Sequence, residues 1–419
     1  MKNNSSRGIP AILIAIVVAL ITSLYASDRQ TTLYSFSGST DGYSPSSGLI
    51  ADAAGNLYGT TFYGGSCASR ERGCGTVFEL SPNSSGGWTE SVLHEFAGGS
   101  DGELPTGNLI FDGAGNLYGT ASGGSHNEGT VFELSPSSAG WTEQVLYSFG
   151  GIGNEGELPT AGLVIDAAGN LYGATILGGT GSNGTVFELS PVIGGGWSET
   201  TLYAFTGGSD GGWPYGGVQL DAAGNIYGTS SLGGITNSTC SFGCGTIFRL
   251  SQASGSWNFT RIFAFAGPKG ASPLGRLTFD AAGNLYGTTQ LGGAKCSISS
   301  GCGVIFRLSP KSQGEWKETL LHDFTNGSDG ADPRCTLIFD GAGNLYGTAP
   351  GSQAFAPSTV YELSPASTGG WRFHVLYTFG LGRIVGASLL QDSAGNLFGT
   401  TDAGGIRSAG SAYELSAGK

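Results

Sequence analysis

Carboxylates, cysteines, aromatic rings and histidines are the side chains of this sequence that could ligate, react or stack. An Asp-Gly-x-x-Pro phrase places carboxylates at Asp41, Asp101, Asp210 and Asp329, with Glu155 substituting and Lys269 breaking the series. Gathered at one mouth, such carboxylates would offer the hard oxygen ligands that calcium prefers. The same phrase also makes a simple turn, since Asp-Gly and Pro suit tight reversals, and the lysine argues against a symmetric ion site. Six of the seven cysteines stand in close pairs: Cys67 with Cys74, Cys240 with Cys244, and Cys296 with Cys302. In an exported chain these read as short-loop disulfides. A zinc site built from two pairs is the alternative, but the spacings are unequal and no histidine accompanies them. Cys335, in an apolar Cys-Thr-Leu-Ile-Phe run, reads as a buried, inert thiol.

Trp213 and Tyr215 stand in Asp-Gly-Gly-Trp-Pro-Tyr, and no other copy of that phrase carries a tryptophan. A flat ring on a rigid loop is what sugars or aromatic ligands stack on, so this pair is the preferred ligand anchor; a packing role is the plainer reading. Tyr43 occupies a related loop. Of the four histidines, 94, 322 and 374 fall in strand phrases, which leaves His126 as a fourth ligand candidate. No nucleophile elbow, His-Glu-x-x-His, phosphate loop or calcium-hand loop is present, so no catalytic residue is assigned.

These residues are carried by a repeat. Ala-Gly-Asn-Leu-Tyr-Gly-Thr or a close variant recurs with its Gly-Asn beginning at 55, 115, 169, 224, 283, 343 and 395. The spacing is near the upper end for four-stranded propeller blades. Each of the first six units holds a short apolar strand ending in Asp, an Ala-Gly-Asn turn, a second strand with an internal Gly, a variable loop, a third strand of the Thr-Val-Phe-Glu-Leu kind and a Trp-initiated fourth strand. Seven Asp residues from Asp52 to Asp392 suit the turns, because Asp bonds the turn's own amides. The Gly from Gly59 to Gly399 is expected to admit a neighbouring blade. Six tryptophans, from Trp88 to Trp371, read as packing. One antiparallel sheet of four strands cannot bury two apolar faces; seven arranged around an axis can.

The apolar-Tyr-x-Phe phrase that ends a fourth strand also appears at Thr31 to Phe36, before any blade has begun, while the last unit stops after its third strand. The fold expected is therefore all-β: one seven-bladed propeller over residues 28–419, closed by the N-terminal strand completing the last blade. Composition agrees, with 77 Gly, 15 Pro and only 12% charged residues, which excludes a helical bundle. With a net charge of -13 and no basic run, nucleic acid is excluded as a partner. Residues 1–27, with Lys2, Arg7 and an apolar run from Ile9 to Leu24, read as a signal peptide or a retained N-terminal anchor.

The run Ala-Gly-Asn-Leu-Tyr-Gly-Thr-Thr, then Gly-Gly, then Gly-Thr-Val-Phe-Glu-Leu-Ser-Pro resembles the tandem repeat of bacterial exported GloVer-containing proteins, named for Gloeobacter and Verrucomicrobia. Its Asp-x-x-Gly-Asn-Leu-Tyr core is also similar to the NHL repeat. The resemblance implies export and a β-propeller, and no chemistry. The expectation is a secreted or envelope-located, non-enzymatic monomer that binds an extracellular glycan or protein on its upper face, the face of the second-to-third-strand loops. The alternatives are a metal-dependent hydrolase of the propeller lactonase kind and an envelope structural or adhesive repeat.

Overall fold

The computed structural model describes residues 30–67, 70–150, 153–296, 298–351, 357–380 and 388–416; the segment 1–27 read as an export signal lies outside them. The described residues form seven antiparallel sheets of four strands, two of which carry a short fifth strand, arranged as the blades of a propeller, and a separate two-stranded ladder pairs Gly156–Glu157 with Leu177–Gly178. In blade 1, Ile50–Ala51 is the inner strand, followed outward by Leu57–Tyr63, Thr76–Pro82 and Trp88–Glu95. Blade 7 takes three strands from the C-terminal end, Leu390–Gln391, Leu397–Thr401 and Ser411–Leu415, and its outer strand is Gln30–Ser35. Thr32 stands opposite Tyr413, and a bulge at Leu33 passes the register on to Tyr34 and Ala412.

The inner turns form because Asp52 accepts hydrogen bonds from the Ala54 and Asn56 amides, the Asn56 side chain and the Tyr58 hydroxyl. The amide contacts recur at the other six aspartates. Partial burial alone would raise these carboxyls. The donated bonds outweigh it and hold Asp52, Asp112, Asp166, Asp280 and Asp340 below the usual carboxylate range.

What joins blade to blade is an aromatic ring of rings. The Phe ending each outer strand sets its edge against the third-strand aromatic of the next blade. The pairs are Phe96 with Phe132, Phe149 with Phe187, Phe205 with Phe248, Phe265 with Phe306, and Phe324 with Tyr361. Two further pairs close the circle across blade 7: Phe379 with Tyr413 at 4.9 Å and Phe36 with Phe78 at 5.0 Å. This edge-to-face geometry aligns the positive ring edge with the negative face of its partner. The same third-strand ring explains the second-strand glycine. A Cβ at Gly59 would lie 2.7 Å from Phe78 Cζ, and at Gly119 2.5 Å from Phe132 Cζ. The glycine admits an aromatic ring of its own blade, not a neighbouring blade as the sequence suggested, because the two residues face each other in register.

Further contacts reinforce the seams. Trp88, Trp141, Trp197 and Trp371 pack edge-on against Phe398, Tyr58, Tyr118 and Tyr286 of the preceding blade. Thr400 Oγ1 donates to Ser47 O at 3.0 Å across the closure, as Thr120 does to Ala161 and Thr288 to Cys335 between other blades. Cys335 is a fully buried free thiol whose sulfur accepts the Thr348 amide, and burial raises its pKa. Outer strands contribute carboxyls to some of these seams. Burial pushes Glu90, Glu143 and Glu318 up to about 7, with Asp41 and Asp101 adding to the rise at Glu90 and Glu143 and Lys269 opposing it at Glu318.

The closing seam and the titrating carboxyls each lead to a measurable outcome. Phe36, fully buried at the closing seam, is expected to cost about 3–5 kcal/mol on Phe36→Ala, whereas Ile193→Ala, at 104% exposure, is expected to leave the urea midpoint unchanged; equal midpoints would refute the closure. The second outcome concerns pH. The depressed aspartates add stability above about pH 3.9, which is lost as pH falls through their lowered values. The raised glutamates add stability below about pH 4.3, which is lost as pH rises through about 7. Replacing Glu90, Glu143 and Glu318 together by Gln is therefore expected to flatten the decline in melting temperature between about pH 5 and 7 relative to the parent.

Candidate functional site

The loops between second and third strands and the loops that enter each blade share one face, because they bond to each other. Leu104 N donates to Cys74 O, Ser272 N to Cys244 O, and Asp332 N to Cys302 O. Each donor precedes a proline and has positive φ, as do Ser44, Leu158 and Trp213. That proline then packs on the glycine before the third strand of the preceding blade: a Cβ at Gly129 would meet Pro159 Cδ at 2.2 Å, and at Gly75 would meet Pro105 Cδ at 2.5 Å. The upper face is thus rigid down to the axis. Its variable loops carry the three expected disulfides, Cys67–Cys74, Cys240–Cys244 and Cys296–Cys302. Three such bridges suit an oxidising compartment. Among the described residues no helix is long and apolar enough to cross a membrane.

Of the two readings of the Asp-Gly-x-x-Pro carboxylates, the geometry fits the turn and not the ion site, since none of them is among the described residues lining the axial cavity. Each caps its own loop and reaches back to the outermost strand. Asp41 accepts from the Ser37 amide and the Tyr34 hydroxyl, Asp210 from the Thr206 amide and the Tyr203 hydroxyl, and Asp329 from the Thr325 amide. His94 and His322 stand 3.1 Å from Asp101 and Asp329 in the place of those tyrosines. Glu155 does the same with Tyr147. Lys269 belongs to the blade whose outer strand offers Phe263 there, a ring with no proton to donate, so the interruption is matched across the pair. Despite partial burial, which raises them, Asp41 and Asp210 are held low by the bonds they accept. Among the described residues one group brings three metal-capable side chains together: His94, Asp101 and Glu143, with ligand atoms within 4.8 Å of one another. It sits between the outer strands of blades 1 and 2.

Two other candidates also lie away from the axis. Tyr43 packs on Tyr63, and the Arg72 guanidinium lies over both rings at 5.7 and 5.9 Å. His126 is exposed on the blade 2 loop, beside Gly150.

Trp213 and Tyr215 are where the upper face opens. They are 36% and 37% exposed, their ring centroids are 6.3 Å apart at a steep angle, and both line an axial cavity of about 680 Å³. Trp213 is held by its backbone: its N–H donates to Asn183 O, and its carbonyl accepts from the Ser231 amide and hydroxyl. The cavity walls come from the residues just after each blade-entry proline, among them Ser46, Thr106, Thr160 and Tyr215. The third residue after each proline belongs to one ring of positions: Asn108, Gly162, Arg276 and Thr336 line the cavity with Ser388 of blade 7, and Gly48 and Gly217 pack between them as a throat. Asn108 Oδ1 accepts the Gly48 amide at 2.8 Å, and Asn108 Nδ2 donates to Ser388 Oγ at 3.1 Å. Arg276 was missed from the sequence. The signal that finds it is columnar, an arginine where three blades have glycine.

The sequence matches the model of the Gloeobacter/Verrucomicrobia repeat over residues 20–165, 142–317 and 231–419. No curated protein matches it. Among solved structures, the chain is similar to an ancestral GH74 enzyme at 12% identity and a TM-score of 0.51, over 90% of this chain and 51% of that one, so it spans about half that enzyme's length. It is also similar to a candidate gluconolactonase (14% identity, TM-score 0.41, 83% of this chain and 92% of that one). A candidate oxidoreductase of the glucose dehydrogenase type from Thermus thermophilus gives 14% identity and a TM-score of 0.42, over 92% of this chain and 99% of that one. At these identities the likeness concerns the fold alone, and the chain, matched across its seven units, belongs to the Gloeobacter/Verrucomicrobia repeat family.

Proposed function

We propose that this propeller is an exported, monomeric, non-enzymatic binding protein that takes an extracellular saccharide into the axial cavity of its upper face. The observation that carries the reading is the cavity itself. At about 680 Å³ it has the size of a small-ligand site, and Trp213 and Tyr215 present two rigid aromatic faces at its wall. Hydroxyl, amide and guanidinium groups from Thr106, Asn108, Gln290 and Arg276 supply the polar complement. That combination, stacking faces with a few directed polar groups, suits a sugar ring. The three disulfides and the N-terminal apolar run support export. A hydrolase working through a carboxylate-held metal such as calcium would need ligating side chains on this wall, and no carboxylate, histidine or thiol is among its described lining residues.

On a glycan array followed by calorimetry, Trp213→Ala and Tyr215→Ala are each expected to weaken saccharide binding about tenfold or more, equivalent to about 1.4 kcal/mol. Tyr43→Ala and His126→Ala, which alter residues away from the cavity, are expected to bind as the parent does. Unchanged affinity in both cavity variants would overturn the proposal.

A further inference from the structure

The saccharide reading uses the Arg276 guanidinium as a polar donor and leaves its charge without a role. That guanidinium lies in the throat, bordering both the upper cavity and a second cleft of about 870 Å³ on the opposite face. It projects from blade 5 across blade 4 toward blade 3: a Cβ at Gly217 would come within 4.0 Å of Nε, and one at Gly162 within 2.9 Å of Nη2. Glycine at those two positions leaves the guanidinium its room. A guanidinium has five N–H donors. Among the described residues Arg276 makes one hydrogen bond, from Nη2 to Leu163 O, and that one is long, at 3.4 Å. It joins none of the ion pairs of the described residues. Outside those residues the sequence holds a single acidic side chain, Asp28.

The surroundings make this unusual. The chain carries 31 acidic and 18 basic side chains, yet the described cavity wall has two arginines and no acid. Arg334, the second arginine, is neutralised by Asp332 behind it. A largely desolvated cation without a partner is costly to keep, and desolvation moves Arg276 only to about 10, so it stays charged at neutral pH. Planar guanidinium donors match the oxygens of a carboxylate or sulfate in bidentate fashion.

We propose that the throat is an oxyanion seat centred on Arg276, which takes the carboxylate or sulfate group of an acidic saccharide while Trp213 and Tyr215 hold its ring. The saccharide part of this proposal rests on the function proposed above; the oxyanion seat does not. The guanidinium is the positive end of the site, and Asn108 and Thr336 beside it offer neutral donors from the same ring of positions.

The test compares the full chain with Arg276→Thr, which installs the residue standing at the equivalent place in blade 6, and with Arg276→Lys. Calorimetry uses digalacturonate, galactose 6-sulfate, neutral galactobiose and inorganic sulfate. The expected result is that an acidic sugar binds the parent at least tenfold more tightly than galactobiose. Arg276→Thr abolishes that preference while melting at or above the parent's temperature in the absence of ligand, and Arg276→Lys retains part of it. Galactobiose binding as tightly as the acidic sugars, with Arg276→Thr unchanged, would overturn the oxyanion seat and leave the saccharide reading standing. Sulfate protecting the parent but not Arg276→Thr from thermal unfolding, with no sugar bound, would support the seat and overturn the saccharide reading. No binding of any of the four probes would overturn both.

Discussion

A buried Phe at the end of one outer strand, set edge-on against the third-strand aromatic of the next blade, is the contact on which the molecule depends. It occurs at all seven seams, from Phe36 with Phe78 to Phe379 with Tyr413. Each pair needs a neighbour on both sides. The third-strand ring lies over a glycine of its own blade and receives the edge of a ring from the blade before. Such an arrangement has no stable end, because a terminal blade would expose one aromatic face to water. Gln30–Ser35 solves this by giving blade 7 the outer strand that its C-terminal part lacks. Closure also removes the open sheet edge that would otherwise be free to pair with another chain.

The axial site is a product of that closure. Its throat collects one residue from each blade, including Asn108 and Ser388, which are 280 positions apart in sequence and joined by a hydrogen bond. No single repeat contains the site, and no pair of adjacent repeats does. Three throat positions are closed to side chains, since a Cβ at Gly48 would lie 2.7 Å from Ser388 O and one at Gly162 2.8 Å from Asn108 O. Elsewhere in the column side chains differ from blade to blade, and Arg276 and Asn108 are the differences of chemical consequence. The inner-turn aspartates, by contrast, are committed to the same turn contacts in each blade and leave no freedom for ligand chemistry.

How much of this could be read from the sequence follows from what repetition reveals. The blades, the disulfide pairs and the displaced first strand were legible because each is a pattern that recurs or conspicuously fails to recur. The Asp-Gly-x-x-Pro series was visible with two readings open, since sequence spacing does not say whether a loop carboxylate turns toward the axis or back to its own outer strand. Tyr34, Tyr203, His94 and His322, which decide that question, stand seven residues earlier in a different phrase. Trp213 was found because it is singular in its column. Arg276 is equally singular, but in Leu-Gly-Arg-Leu it has no turn chemistry to draw attention, and its lack of an acidic partner appears only when all seven entry segments face one another. The second-strand glycine was read correctly as a close approach and assigned to the wrong blade, because register within a sheet is not stated by spacing alone.

A crystal structure of the full chain grown with digalacturonate decides whether the axis of this propeller takes a ligand that brings a negative charge to Arg276. The expected outcome is a sugar ring against Trp213 or Tyr215 and a carboxylate oxygen within about 3 Å of the Arg276 guanidinium. Sugar density on the outer loops, with the throat holding only solvent, would contradict it.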